Sequence, residues 1–387
     1  MSSDPILQDL FEKHRLFLPG QPCSKDEVLR HFEKAILVDG LNREEARLVL
    51  STLPSRADRI YLAPLDKGLS GSKVFSAKFD TGGERISKVF VFKIGAKGKI
   101  FLEYEALETL VVPYLNGVSR PVYRVGEASA LIVVEFAGLG GKTALESLKT
   151  HIRDAREPEK VIGRLLEERL SGWYRAGSRR PPPVAYRLET LFEWYLAKIA
   201  GQIYPADWAA LQEWVESSTD CPWRDASVLL SKLKRSTIES CTTTVHGDLH
   251  SQNVLIDERG ECWPIDFAWC RENTSPLLDF TMLECSLKFL AVPHRSDLRS
   301  LIGIEFALAS APFPEIELDL VPYRQQISNV MRAVIAVRRF AIERMGLRFE
   351  DYRRALCLMT YVHSTHPKLN LPYVLASLQI LGAKCYV

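Results

Sequence analysis

The stretch from Thr244 to Asp257, TVHGDLHSQNVLID, followed shortly by Ile265, Asp266 and Phe267, leaves this chain few ways to fold. Two short apolar runs, Val254 to Ile256 and Trp263 to Phe267, flank a turn at Glu258, Arg259 and Gly260. That spacing predicts a tight antiparallel hairpin. A hairpin here carries the polar residues that precede its first strand, His246, Asp248 and Asn253, to the same mouth as Asp266 at the end of its second.

The spacing also has a chemical reason. His246, Asp248 and Asn253 fit H-x-D-L-x-x-x-N, and Asp266 with Phe267 supplies the D-F that comes after it in phosphoryl-transfer sites. Moving a γ-phosphoryl group needs a carboxylate to orient the acceptor hydroxyl and take its proton, which suits Asp248. It also needs oxygen ligands for magnesium, which suits Asn253 and Asp266, because magnesium keeps several waters and asks little of the protein. Any one of these residues alone fits a polar turn or a strand-end carboxylate. Their joint occurrence at these offsets carries the reading.

Upstream, the hydrophobic pattern has strand character from about 57 to 136. Tyr61–Leu65, Lys73–Phe79 and Lys88–Ile94 are short β-rich runs separated by glycine-containing turns; a helix is predicted over Lys99–Val112, and two further strands at Val122–Gly126 and Leu131–Phe136. The turn holding Gly68, Ser70, Gly71 and Ser72 can lay backbone N–H groups over phosphates, although taken alone it is a partial glycine loop that fits an ordinary hairpin. Lys93 lies between apolar neighbours on a predicted strand and calls for a carboxylate. Glu103 and Glu105 on the next helix face different sides, so one at most can meet it. Glu103 shares the side of Leu107 and Leu110 and is the first choice, with Glu105 the second.

Residues 1–56 read as a helical N-terminal extension. Ser24 with Glu27 and Asn42 with Glu45 are capping-box starts for helices at Glu27–Val38 and Glu44–Leu53. The segment carries no chemistry, and packing on the following domain is favoured over a separate module for a protein partner. From 137 to 387 the chain reads as a mainly helical domain around the catalytic loop. Thr143 with Glu146 caps one helix, Pro158 opens another, and a basic loop runs from Arg175 to Pro183. Aromatic-rich helices are expected at about 187–201 and 205–217, their stripe belonging to a core. An amphipathic helix is expected from Leu277, where Asp279 either caps its own helix or bonds the backbone of the catalytic loop. His363 and His366 read as structural or exposed.

Composition removes several alternatives. With 387 residues, 47% of them hydrophobic, the chain can bury more than one core. Its 50 basic and 48 acidic residues leave a net charge of +2 and no surface suited to nucleic acid. The N-terminus lacks the order of a signal peptide and no apolar run reaches membrane-spanning length, which points to a cytoplasmic protein without a membrane partner. Eight cysteines stand without a C-x-x-C pair and read as reduced, mostly buried residues.

With Gly68 to Ser72, Lys93, Glu103, the loop from His246 to Asn253 and the Ile265-Asp266-Phe267 segment in hand, the chain resembles the aminoglycoside phosphotransferase and choline kinase-like family over about 60–290. Within that family it is most similar to kinase-like modules of bacterial conflict systems, judged by the stretches from Phe101 to Leu107 and Leu278 to Glu284. The resemblance implies an α+β, bilobal protein kinase-like fold, with a five-stranded antiparallel N-lobe and a larger helical C-lobe. It implies ATP and Mg2+ as cofactors, with Lys93 on the α- and β-phosphates and Glu103 holding it. Asp248 would be the base, Asn253 and Asp266 the metal ligands, and Glu135 and Phe136 hinge residues bonding adenine. Ala268 departs from the family, which has glycine after D-F, and alanine loses access to positive φ there.

The chain has no A-P-E motif after Asp266, and Gly247 replaces the arginine that would read a phosphorylated activation segment. A peptide therefore lacks its usual platform. The expected acceptor is a hydroxyl of a small molecule, held between the catalytic loop and the helices of about 187–240. Two other readings stay open: a protein serine/threonine kinase or autokinase in a conflict system, and a nucleotide-binding regulatory module without catalysis.

Overall fold

The computed structural model describes residues 41–52, 59–64, 72–80, 90–135, 146–175, 183–200, 213, 216–217, 226–316, 323–366 and 369–385. The helix expected at Glu27–Val38, the turn residues Gly68, Ser70 and Gly71, the hinge residue Phe136, most of the loop ending at Pro183 and most of the helix expected at 205–217 lie outside the described residues. The described residues form two compact units. One runs to Glu135 and takes in 267–269, and the other holds the rest.

The first unit is a sheet with two helices. Helix α1 (Arg43–Ser51) begins with the expected capping box: the Asn42 side chain accepts the Glu45 N–H at 2.9 Å, and the Glu45 carboxylate accepts the Asn42 N–H at 2.7 Å. Strands β1 (Arg59–Pro64), β2 (Lys73–Asp80), β3 (Phe90–Ala96), β4 (Val122–Val125) and β5 (Ser129–Glu135) form one antiparallel sheet in the order β1-β2-β3-β5-β4. Helix α2 (Lys97–Ala106) comes after β3 and ends in a π-helical turn, Leu107–Val111. The strands and the helix fall within a few residues of the spans that the sequence predicts.

Helix α1 is built into this sheet. Leu41, Ala46, Leu48 and Val49 share a core with Phe75, Phe92, Ile94, Leu131 and Val133. Polar contacts fix the same docking: Lys73 Nζ donates to Glu45 at 2.7 Å, and Glu44 Oε1 accepts the N–H groups of Ala128 at 2.8 Å and Ser129 at 3.3 Å. Those two backbone donors, Ala128 foremost, hold the Glu44 carboxyl below its ordinary pKa.

The second unit is mainly helical. It contains β6 (Glu146–Ser147), α3 (Leu148–Asp154), α4 (Pro158–Gly163), α5 (Ser171–Arg175), β7 (Val184–Arg187), α6 (Leu188–Leu191), α7 (Glu193–Ile199) and α8 (Ala226–Arg235). After these come β8 (Thr237–Ser240), β9 (Thr243–Val245), β10 (Val254–Ile256), β11 (Cys262–Pro264), β12 (Arg271–Thr274), α9 (Leu277–Ser286), α10 (Leu298–Ser310), α11 (Arg324–Arg339), α12 (Phe349–Ser364) and α13 (Leu371–Cys385). Pro158 opens α4 as expected, whereas Glu146 lies in a strand paired with β10 and not inside a helix. The single helix expected over 187–201 is broken at Phe192, which sits at φ −103 and ψ 13 between α6 and α7.

Helix α9 corrects a second expectation. The sequence reads as amphipathic from Leu277, yet all ten of its residues are buried. A helix buried on every side must neutralise its polar residues internally. Glu284 accepts two hydrogen bonds from Arg338 on α11, at 2.8 and 2.7 Å, and one from the Tyr352 hydroxyl on α12 at 2.7 Å. Just beyond the helix, Lys288 donates to Glu305 of α10 at 2.9 Å, and the Tyr373 hydroxyl of α13 donates to the same carboxylate at 2.8 Å. Two acids and two bases are thus cancelled at full burial. Burial pushes the Glu284 carboxyl up, but Arg338 and then Lys288 more than offset it, so it lies below the ordinary range.

Cutting one partner from such a pair strands the other charge. Arg338→Ala is expected to lower stability by about 3–5 kcal/mol, read as a shift in the denaturant midpoint. A shift typical of an exposed arginine would show that the pair carries no such weight.

Candidate active site

The sheet unit supplies one half of the predicted constellation. Lys93 lies on β3, opposite Val74 of β2 and Ile132 of β5, with Phe92 and Ile94 buried beside it. Its Nζ is 2.7 Å from Glu103 Oε2 on α2, and both residues are buried. Glu105 is exposed, so helical phase selects Glu103 as the sequence suggests. Ser72, at the start of β2, is buried against β3; a Cβ at Gly95 would stand 2.7 Å from Ser72 Oγ, which is why residue 95 has none. At Glu135, Ser119 N–H donates to the carbonyl at 3.3 Å, and Ser119 Oγ lies 3.2 Å from both the N and the O. The backbone of Glu135 is therefore already engaged.

The helical unit supplies the other half. The predicted hairpin is present: β10 pairs with β11, and Gly260 turns between them at φ 74. Asp257 locks that turn, its Oδ1 accepting the N–H groups of Arg259 at 2.9 Å and Glu261 at 3.0 Å, and its Oδ2 the Trp263 indole at 3.3 Å. The loop before β10 is held from below by α9. Asp279 accepts the N–H of His246 at 2.7 Å and of Gly247 at 2.8 Å, and the Tyr174 hydroxyl at 2.9 Å. At the far end of α9, Ser286 Oγ accepts the Ser251 N–H at 2.8 Å. The Tyr195 hydroxyl donates to the Gly247 carbonyl. Gly247 sits at φ 77, a conformation that a side chain would strain, so glycine is required at the position where a phosphate-reading arginine is missing.

Inside the loop, His246 links the two motif segments. Its Nδ1 accepts the Asp248 N–H at 3.3 Å and its Nε2 lies 3.0 Å from the Ile265 carbonyl, a pair of contacts that fits the neutral ring with the proton on Nε2. Asn253 Nδ2 donates to the Asp248 carbonyl at 3.0 Å, while the Asn253 carbonyl accepts the Ile265 N–H at 2.9 Å. With Nδ2 committed, Oδ1 is the atom that Asn253 offers a cation. Asp266 sits at φ 66, a left-handed conformation uncommon for a residue with a side chain and frequent at functional sites. The positive φ of this turn falls on Asp266 and not on Ala268, so alanine there meets no strain. The Asp248 carboxylate is 22% exposed, within 3.9 Å of the His250 ring.

The structure thus brings Asp248, Asn253 and Asp266 together through His246 and the hairpin, and pairs Lys93 with Glu103. Of the sequence's alternatives for Asp279, bonding the catalytic loop is the one realised. Tyr174, Tyr195 and Ser286 were not legible as site residues: two belong to aromatic stretches that suit a core, and a helical serine carries no signal of its own.

Burial pushes the Asp279 carboxyl up to about 6, against the pull of the His246 and Gly247 N–H groups. Because the folded value lies above the ordinary 3.8, the folded state binds this proton more tightly than the unfolded state. Its contribution to stability is therefore greatest below about pH 4 and declines as pH rises to about 6, by about 3 kcal/mol in all. Comparing urea unfolding of the wild type and Asp279→Asn across this window isolates the effect, since other carboxylates cancel. Parallel pH profiles for the two would rule the shift out.

The family model described as Ternary complex associated domain 9 (TCAD9) matches residues 221–370, the span that contains Asp248, Asn253, Asp266 and Asp279. No curated protein matches the chain. Among solved structures, choline kinase LicA from Streptococcus pneumoniae is similar at 14% identity with a TM-score of 0.40, covering 84% of this chain and 94% of that one. An aminoglycoside phosphotransferase, APH(4)-Ia, in a ternary complex with AMP-PNP and hygromycin B, gives 15% and 0.39, covering 84% and 92%. The ethanolamine kinase of Plasmodium vivax gives 11% and 0.35, covering 100% and 95%. On its own element order, five antiparallel strands with a helix after the third and then a helical unit around the 246–266 loop, the chain resembles the aminoglycoside phosphotransferase and choline kinase-like family, of protein kinase-like fold.

Proposed function

We propose that the protein is an ATP- and magnesium-dependent phosphotransferase that moves the γ-phosphoryl group to a hydroxyl of a small molecule. The observation that carries this reading is the buried Lys93–Glu103 ion pair at 2.7 Å. A desolvated pair of this kind adds little stability over apolar packing, so its presence suits a lysine held ready for phosphates. In this reading Lys93 binds the α- and β-phosphates, Glu103 fixes its ammonium, and the turn of Gly68, Ser70, Gly71 and Ser72 adds backbone donors. Of the two hinge residues, Glu135 has its backbone engaged by Ser119, so in this reading the adenine bond falls to Phe136.

The residues present also fit a magnesium ion: Asn253 Oδ1 and the Asp266 carboxylate are hard oxygen donors whose backbones are tied to one another through Ile265. Bound there, magnesium supplies neutralisation of phosphate charge. Asp248, its backbone pinned by His246 and Asn253, takes the proton of the acceptor hydroxyl.

Support for a small acceptor comes from the path of the chain after Asp266. Within a few residues it enters β12, which pairs with β9, and then α9. That path leaves little chain for a peptide-docking segment. The TCAD9 match supports a second reading, in which the hydroxyl belongs to a partner protein, a role for which residues 1–56 are the candidate contact. No helix among the described residues is long and apolar enough to cross a membrane.

Asp248→Asn is expected to keep nucleotide affinity and lose about 10²–10⁴-fold in turnover, while Lys93→Ala weakens nucleotide binding itself. A variant at Asp248 with unchanged biological activity would favour a regulatory module over an enzyme. Calorimetry should show ATP binding much weakened when magnesium is withheld, because carboxylates and phosphates then repel; equal affinity removes Asn253 and Asp266 from the metal site. Labelled ATP in a host lysate, with small molecules then separated from protein, decides the acceptor. Label confined to one protein band overturns the small-molecule reading.

A further inference from the structure

Between Asp248 and Asn253 the catalytic loop carries a further imidazole, His250, flanked by the fully buried Leu249 and Ser251. Its backbone is tied to both neighbours in the site. The His250 N–H donates to the Asp248 carbonyl at 2.8 Å, and the His250 carbonyl accepts the Asn253 N–H at 2.8 Å. The ring, partly exposed, is oriented as well: Nδ1 accepts the Gln252 N–H at 3.2 Å, so the ring proton sits on Nε2. That Nε2 lies 3.9 Å from Asp248 Oδ2.

The separation is too long for a hydrogen bond and fits one shared oxygen. Two ordinary bonds of about 2.8 Å to the same atom span 3.9 Å when they meet at roughly 90°. The shared atom must accept from Nε2–H and donate to the carboxylate, which a hydroxyl does. We propose that His250 is a second catalytic residue, whose Nε2–H donates to the acceptor oxygen while Asp248 takes that oxygen's proton; this rests on the phosphotransferase reading. A hydroxyl oxygen has four directions: its carbon, its proton and two lone pairs. With the proton turned to Asp248 and one lone pair to His250, the other lone pair is left for the γ-phosphorus. As the new O–P bond forms, the bond from phosphorus to the β–γ bridging oxygen breaks, ADP departs with that electron pair, and the hydroxyl proton passes to Asp248. His250 keeps its proton throughout. The pair also selects the chemistry of the acceptor. A neutral amine has a single lone pair, which phosphorus needs, so it would leave the Nε2–H unanswered.

The probe is Mg-ADP with aluminium fluoride, which imitates the phosphoryl group in flight with a water in the acceptor's place. His250→Asn keeps an acceptor for the Gln252 N–H and removes the Nε2 donor, whereas His250→Gln keeps the donor and gives up the acceptor. Calorimetry on the full-length protein should show that aluminium fluoride tightens Mg-ADP binding to the wild type. His250→Asn should lose about 10–100-fold of affinity for the fluoride complex with affinity for Mg-ADP alone unchanged, and His250→Gln should keep most of it. In the wild type, the NMR signal of His250 Nε2 should move when aluminium fluoride joins Mg-ADP. His250→Asn binding like the wild type, or His250→Gln binding more weakly than His250→Asn, would overturn the proposal in favour of a ring that only braces the loop. An unmoved Nε2 signal overturns it whether or not the variants fold. A wild type that binds Mg-ADP but gains nothing from aluminium fluoride overturns it and spares nucleotide binding; one that binds no Mg-ADP overturns the phosphotransferase reading as well.

Discussion

The helical unit turns on one buried carboxylate. Asp279 gives up hydration to hold the N–H groups of His246 and Gly247, and no neutral side chain of its size can accept from both while also taking the Tyr174 hydroxyl. This grip fixes the start of the catalytic loop, and Tyr195 and Ser286 hold Gly247 and Ser251 from other sides. It needs Gly247 in a left-handed conformation, it needs α9 directly beneath the loop, and it needs α9 to be immobile.

That last requirement explains the charges deep in the helical unit. A helix packed on every side by apolar groups can slide or rotate at modest cost, whereas one whose Glu284 is clamped by Arg338 and Tyr352 cannot move without breaking charge-assisted bonds. The ion pairs therefore define a rotation of α9 as much as they stabilise it. The sheet unit uses the same device at Lys93 and Glu103, where the fixed object is an ammonium group.

The legible parts of this chain were those where a residue type has few alternatives. The capping box at Asn42 and Glu45, the hairpin around Gly260 and the five strands announce themselves through local backbone chemistry, and the pairing of Lys93 with Glu103 through helical phase. The features hidden in the sequence were long-range. Complete burial of α9 was invisible because Asp279 and Glu284 imitate a solvated face, while the partners of Asp279 lie on the catalytic loop and α5 and those of Glu284 on α11 and α12. The roles of Tyr174 and Tyr195 were hidden for a related reason, since an aromatic ring at helical spacing looks the same whether its hydroxyl is idle or holds a loop.

The docking of α1 has a consequence for how the chain is made. A nine-residue helix is too short to persist alone, and its docking is complete only when β5 exists, with Glu44 reaching N–H groups 84 and 85 positions later. At roughly 5–20 residues per second of synthesis, that is a wait of about 4–17 s between the emergence of the helix and of the last strand of its seat. During this interval Leu41, Leu48 and Val49 are uncovered, so the ribosome-bound chain presents an apolar strip early that the finished protein never shows.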